Sequence, residues 1–320
     1  MLLGVTLGII LLLYATQSSI ELTNTPDTKD SPQSPPCFAN LSPEARVFAE
    51  ELKKRVKKDL EGRIPDGYID DVFCRETLRF NPDVMLRSLT WKEAKLPYHQ
   101  FLEPNRIQRA RAFLEEHFGL LSAIEEKFRV DKEVIVAILL VETDLGTKTG
   151  NHQVLNTFFS LALAGNEALF KRFVENHPEI DFNNETVRRR WERRSNWAYR
   201  ELLHFIEISY KNQWDPYEIR GSIFGAFGFP QFVPRSYAIY GFDWDGDGRV
   251  DLFSIPDALA SIANYLRREG YRMDADRDYK KRIIMKYNIS EPYAETVLAI
   301  AEILKLKKNL LTLPNGQSGN

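Results

Sequence analysis

Every residue of Val134-Ile135-Val136-Ala137-Ile138-Leu139-Leu140 is apolar. A segment with no polar face reads as a helix buried on all sides. Asp131 stands where an N-cap belongs and Gly146 where a helix stops, so the predicted helix covers about 131–144. Elsewhere the pattern is amphipathic. Ser42-Pro43 opens a predicted helix in which Phe48, Leu52 and Val56 recur at helical spacing. A second stripe, Ile107, Ala110, Leu114, Phe118, Leu121 and Ile124, predicts a helix over 105–128. Further helices are predicted near 155–164, 166–175, 186–211, 256–269 and 289–305. Strand-like alternation is rare and there is no internal repeat, so the class is mainly α.

Composition adds limits to this picture. A chain of 320 residues with 43% apolar content can bury a real core. A net charge of -2 argues against a general nucleic-acid binder, and no nucleic-acid partner is expected. Leu2 to Tyr14 is apolar and uncharged but shorter than the roughly 20 residues of a spanning helix. It suits the core of a secretory signal, with cleavage near Ala15 to Ser19, or an uncleaved anchor giving membrane association. Residues 1–19 are therefore assigned to a signal or anchor, and the Pro-, Ser- and Asp-rich stretch that follows, 20–41, to a disordered linker. The only cysteines are Cys37 and Cys74. In an exported protein they either pair or remain as two thiols.

Three clusters carry candidate chemistry. Glu142 falls at the C-terminal end of the apolar helix. Apolar neighbours and the negative helix end both favour its protonated form there. A carboxylic acid held protonated is what a glycosidic oxygen needs from a general acid. The bland alternative is a helix-end Glu pointing to water. The second cluster is residues 221–237, where Gly221, Gly225 and Gly228 alternate with Phe224, Phe227, Phe229, Phe232 and Tyr237 around Gln231. Glycines permit close backbone approach, and aromatic faces with an amide suit a groove for sugar rings, or else a tightly packed core. In the third, Asp243, Asp245 and Asp247 place oxygen donors at alternate positions before Gly248. That is the start of a calcium loop, in which Arg249 offers its carbonyl. Ser254 stands at the twelfth position in place of the usual Glu, and Asp257 serves if the loop is longer. The alternative is a solvated acidic turn. The run Arg188-Arg189-Arg190-Trp191-Glu192-Arg193-Arg194 is either a solvated helix face or a patch for an anionic polymer.

Taken in order, these pieces resemble the B-type membrane-bound lytic murein transglycosylases, glycoside hydrolase family 103. The resemblance rests on Val-Glu-Thr-x-x-Gly ending the apolar helix, Gly-Ser-x-x-Gly-Ala-x-Gly-x-x-Gln-Phe-x-Pro-x-Ser-Tyr, the Asp-Gly-Asp-Gly loop, Ile262-Ala263-Asn264-Tyr265, and Tyr287-Asn288-x-Ser290-x-x-Tyr293-Ala294. It covers about 95–305 and implies a lysozyme-like catalytic domain there, with additional helices and an EF-hand-like calcium loop. The flanks are then an N-terminal helical segment, 42–94, and a tail, 306–320. It further implies that Glu142 is the single catalytic acid/base. Tyr98, Ser222, Gln231, Tyr265 and Tyr287 would hold the glycan. Asp243, Asp245, Asp247, Arg249 through its carbonyl, and Asp257 would bind a structural Ca2+. Tyr98 sits one residue off the family spacing. Asp144 replaces a basic residue, Leu145 replaces an aromatic one, and about 164–190 reads as an insertion.

The expected function is cleavage of the bond between N-acetylmuramic acid and N-acetylglucosamine in exported, envelope-located action on peptidoglycan strands. Asp144 is two positions from Glu142 and so points to nearly the opposite side of a helix. Asp131 lies about 16 Å away along it. With no second acid evident, a lone Glu fits formation of a 1,6-anhydro ring better than two-carboxylate hydrolysis. The rivals are a hydrolytic muramidase and a non-catalytic wall-binding protein.

Overall fold

The Ser42 hydroxyl accepts the N–H of Ala45, and Pro43 takes the first position of helix α1 (Pro43–Asp59), which buries Ala45, Ala49, Leu52 and Val56. In the computed structural model residues 37–91 and 97–306 are described. The signal or anchor segment, residues 20–36 of the linker and all but the first residue of the C-terminal tail lie outside these. Among the described residues no helix is long and apolar enough to cross a membrane.

After α1 come α2 (Asp66–Phe73), α3 (Asp83–Thr90), a 3-10 turn (Tyr98–Leu102), α4 (Pro104–Glu116), α5 (Phe118–Phe128) and α6 (Lys132–Thr143). Next are β1 (His152–Gln153), α7 (Val154–Leu163), α8 (Glu167–Val174), α9 (Glu185–Lys211) and β2 (Arg220–Gly221). The last are α10 (Pro234–Tyr240), α11 (Ile255–Arg268), α12 (Arg277–Tyr287) and α13 (Glu291–Lys305). The mainly α reading holds.

The stripe over 105–128 is not one helix. His117 leaves helical geometry (φ -103°, ψ 21°), and the two halves share α6 but otherwise take different partners, α4 against α13 and α5 against α11. One straight helix could not serve both. α6 is buried on every side, as its sequence requires: Val134 to Leu140 are each at most 2% exposed, among α4, α5, α11 and α13.

Asp131 precedes α6 but makes no side-chain cap. Its carboxylate instead gathers Lys305 Nζ (2.7 Å), Lys280 Nζ (2.9 Å) and the Tyr271 hydroxyl (2.5 Å). It therefore fastens the start of α6 to α12, α13 and the turn before α12. Burial alone would raise this carboxyl. The bonds from Lys305, Tyr271 and Lys280 outweigh it and hold Asp131 below the usual carboxylate range.

The first three helices share their core with the rest. α1 packs on α7, and α3 on α7 and α9. The Cys37–Cys74 pair is a disulfide. Beneath it Phe38, Phe73 and Phe159 form a ring cluster at 5.9–6.2 Å. The stretch from 164 to 190 folds on itself. Phe170 and Phe182 pack on Trp191 at 6.2 and 5.3 Å, and the Trp191 indole donates to Ala164 O.

β1 and β2 pair antiparallel, His152 opposite Gly221. Bridges from Gly221 to Phe227 and from Phe227 to Phe232 continue this into a compact loop. That loop lies over the C-terminal end of α6.

Candidate active site

Glu142 sits half-buried in the last turn of α6 and lines a cavity of about 220 Å³ with Tyr98, Phe101, Asn288 and Tyr293. Among the described residues no other carboxylate lines it. The Tyr293 hydroxyl donates to Glu142 Oε1 at 2.6 Å. Burial first, and the charge of Glu142 second, push the Tyr293 phenol well above its usual range, so it remains a donor. Anchoring one oxygen fixes the plane of the carboxyl group, and so the direction in which it can give or take a proton.

The helix stops sharply beyond it. Asp144 and Leu145 adopt left-handed φ of 52° and 62°, so the break comes two residues earlier than the expected stop at Gly146. Non-glycine residues in this region are strained and need outside support. Arg109 supplies it, donating to Asp144 Oδ1 (2.8 Å) and to its main-chain oxygen (3.2 Å). Burial would raise the Asp144 carboxyl, but Arg109 and then Lys148 hold it below the usual range. Asp144 is an ionised clamp bonded to Arg109, away from the Glu142 cavity. Thr143 Oγ1 donates to Phe229 O (2.9 Å) and accepts Gly146 N–H (3.0 Å), tying the end of α6 to the 221–237 loop.

That loop depends on its glycines. A Cβ on Gly221 would stand 2.1 Å from Ala226 O, and one on Gly225 would stand 2.4 Å from the Phe158 ring. Its aromatic residues divide. Phe227, Phe232 and Tyr237 are core, whereas Phe224 and Phe229 remain half-buried.

The five residues expected to hold a glycan are not equivalent. Tyr98 lines the Glu142 cavity, its ring edge-on to Tyr293 at 6.1 Å. Ser222 Oγ accepts Ala226 N–H at the loop base (3.1 Å). Gln231, at φ 52°, spends its amide N–H groups on Thr149 O (3.1 Å) and Gly228 O (2.9 Å), which leaves its Oε1 as an acceptor. The remaining two hydroxyls are committed to the backbone. Tyr265 donates to Lys286 O (2.6 Å) and Tyr287 to Pro230 O (2.5 Å). Their rings lie 4.7 Å apart in a tilted cluster with Phe232 and Tyr240. Burial and then the Glu142 charge raise the Tyr287 phenol, so the two groups feel each other. Tyr293, which completes the site, lies in the sequence motif. Nothing in that motif distinguishes its hydroxyl from that of Tyr287.

Carboxylate oxygens of Asp243, Asp245 and Asp247 converge within 4.8 Å. Gly246 and Gly248, at φ 78° and 89°, turn the chain so that Asp243 accepts both of their N–H groups. Arg249 N–H goes to Asp247 (2.8 Å). Three close carboxylates repel one another, and the donor set is the all-oxygen kind that suits a hard divalent cation. Asp257 does not join this convergence. From the first turn of α11 its two oxygens accept the N–H groups of Trp244 (2.9 Å) and Asp251 (2.7 Å), so it braces the loop from beneath. Burial, ahead of Asp245 and Asp243, raises its carboxyl.

Residues 48–282 match the family described as Transglycosylase SLT domain. The membrane-bound lytic murein transglycosylase B of Escherichia coli is 29% identical over 172 residues, which is 54% of this chain but only 40% of that protein. The fold resembles that of SltB3 from Pseudomonas aeruginosa, solved in complex with NAG-NAM-pentapeptide (TM-score 0.64, 22% identity, 82% of this chain and 80% of that one). It also resembles Escherichia coli Slt35, solved in complex with calcium (TM-score 0.62, 20% identity, 83% and 94%).

Proposed function

The chain belongs to the transglycosylase SLT domain family, and from that premise we propose that it is a lytic murein transglycosylase with Glu142 as its one acid/base. The observation that carries this reading is the Glu142 carboxyl group facing the cavity, gripped by Tyr293, with Asp144 committed to Arg109. A hydrolase of the two-carboxylate type needs a second acid within roughly 5–9.5 Å, across the scissile bond. None lines this cavity among the described residues.

The chemistry then follows from one group used twice. Glu142 gives its proton to the oxygen between N-acetylmuramic acid and N-acetylglucosamine, and the bond from C1 to that oxygen breaks. The acetamido oxygen of the muramoyl ring stabilises the positive C1. The Glu142 carboxylate takes the proton of the C6 hydroxyl, and O6 bonds to C1 to close a 1,6-anhydro ring. Water is neither consumed nor released, and Glu142 ends protonated as it began. Tyr98 and Gln231 are the groups we assign to sugar contact. Tyr265 and Tyr287 act through their rings, since their hydroxyls bond the backbone. Peptidoglycan lies outside the cytoplasmic membrane, so the reading entails export to the cell envelope. Glu142→Gln keeps the shape and removes the transferable proton. Its cleavage of purified peptidoglycan should fall at least about 100-fold, the lower range for a general acid. Unchanged cleavage would remove Glu142 from the chemistry.

We also assign a structural Ca2+ to Asp243, Asp245 and Asp247, with the Arg249 carbonyl. Asp257 supports the loop instead of binding the ion. Bound only by the folded chain, the ion would raise the melting temperature by several degrees in excess calcium over chelator. Asp245→Ala should abolish that difference. Identical melting of the unaltered protein in both solutions would refute the assignment.

A further inference from the structure

The basic run at the start of α9 divides into two kinds of arginine. Arg188 pairs with Glu167 (3.1 Å) and Arg189 with Glu185 (2.5 Å). Arg190, Arg193 and Arg194 have no carboxylate within ion-pair distance among the described residues. With Trp197 they stand at i, i+3, i+4 and i+7, which places all four on one helix face. They line a cavity of about 870 Å³, roughly four times that of Glu142, together with Trp91 and Ile289.

The arginine nearest the wall is organised in advance. The Arg194 guanidinium lies 4.6 Å from the Trp197 ring and 5.1 Å from that of Phe224. Trp91 packs edge-on against the same Phe224 at 5.5 Å. Burial, and then the neighbouring Arg190, push Arg194 below its usual range, the mark of a cation lacking a counter-charge. A guanidinium held against two aromatic rings has lost much of its rotamer freedom and presents its donors as a fork matched to carboxylates.

The cavity adjoins the Glu142 cleft at the turn between α12 and α13. Ile289, 89% exposed, lines it, while the preceding residue, Asn288, lines the cleft. Phe224 belongs to the glycine-aromatic loop, two residues beyond Ser222. A ligand seated among these arginines therefore lies beside whatever occupies the cleft.

We propose that this arginine-aromatic cavity recognises the carboxylates of the acidic peptide that peptidoglycan carries on its muramoyl rings. The enzyme would thus read the side arm of the strand it cuts. The inference rests on the glycan-cleaving reading above. Its chemistry fits both parts of such a peptide, since guanidinium groups meet the carboxylates while Trp91, Trp197 and Ile289 meet alanine methyl groups.

The test compares glycan strands bearing their peptides with strands stripped of them by an amidase. Arg190 and Arg193 are exposed, so the variant Arg190→Gln/Arg193→Gln should fold, with an unchanged melting temperature as the check. On peptide-bearing strands its KM should rise about tenfold with little change in kcat. On stripped strands both constants should match the unaltered protein. Equal losses on both substrates, or none on either, would overturn the proposal. Tryptophan fluorescence titration with the free acidic peptide reads binding separately from cleavage. Saturable binding, weakened by the double substitution and not mimicked by inorganic phosphate, is expected. Absence of peptide binding, or equal binding of phosphate alone, would contradict it. Peptide binding by a protein that cleaves neither strand would instead sink the transglycosylase reading and leave this site standing.

Discussion

Glu142 and Tyr293 are 151 positions apart in sequence, yet 2.6 Å apart in space. The bond does two things. It anchors one carboxyl oxygen, and it favours the ionised acid that must retrieve a proton late in the reaction. A hydrogen bond to a charged group is worth about 1.5–3 kcal/mol. If the bond strengthens as Glu142 ionises in the transition state, Tyr293→Phe should lower kcat about 10- to 100-fold with KM nearly unchanged. Steady-state kinetics on glycan strands would check this, and an unaltered kcat would show that the bond is only structural. At this scale the sequence was informative where chemistry depends on neighbours in the chain. Glu142 stands out because an apolar run ends at it, and the three loop aspartates because they alternate. The sequence was silent where a partner arrives from another helix. Neither the Tyr293 bond nor the Arg109 clamp on Asp144 leaves a local signature. The backbone bonds of Tyr265, Tyr287 and Asp257 were likewise illegible, because a hydroxyl or carboxylate reads the same whether it faces a ligand or a carbonyl or amide of its own chain.

Among the elements, α6 is the one on which the site hangs. Being apolar all round, it has no polar face to set its orientation, and its polar fastenings lie at its two ends. Thr143 and Arg109 fix its end, and Asp131 fixes its start. The folded carboxyl of Asp131 titrates below its unfolded value of about 3.9. Its contribution is therefore complete above that value and is lost as pH falls through the lower, folded one. Asp131→Asn should cost roughly 2–4 kcal/mol at pH 7, less than a fully buried pair because Lys305 is 44% exposed. The gap should begin to narrow below about pH 4 and close only under the lower, folded value. Urea unfolding at several pH values would measure it, and a gap that widened in acid would contradict the linkage. Long or strongly patterned helices were readable in advance. α2, α3 and α10 have seven or eight residues, too few turns to show a period, and α12 is so charged that its stripe is faint. The single stripe over 105–128 hid the break at His117, because the two helices keep similar spacing while facing different partners.

Across the whole molecule, the α6 end, the 3-10 turn at Tyr98–Leu102 and the α12–α13 turn meet around one cleft, the glycine-aromatic loop is tied to the α6 end, and α3 and α9 wall a second cavity beside it. α1 and α3 pack on α7, α3 also packs on α9, and the stretch over 164–190 packs on Trp191, so the basic face of α9 belongs to the folded core. With one carboxyl group lining the cleft among the described residues, the proposed reaction is told from hydrolysis by its product, because the C6 hydroxyl of the substrate takes the place of water. Mass spectrometry of fragments released from purified peptidoglycan tests this directly. Muropeptides with 1,6-anhydro ends, lighter by one water than hydrolysis products, are expected, and Glu142→Gln should abolish them. Fragments carrying only hydrated reducing ends would contradict it.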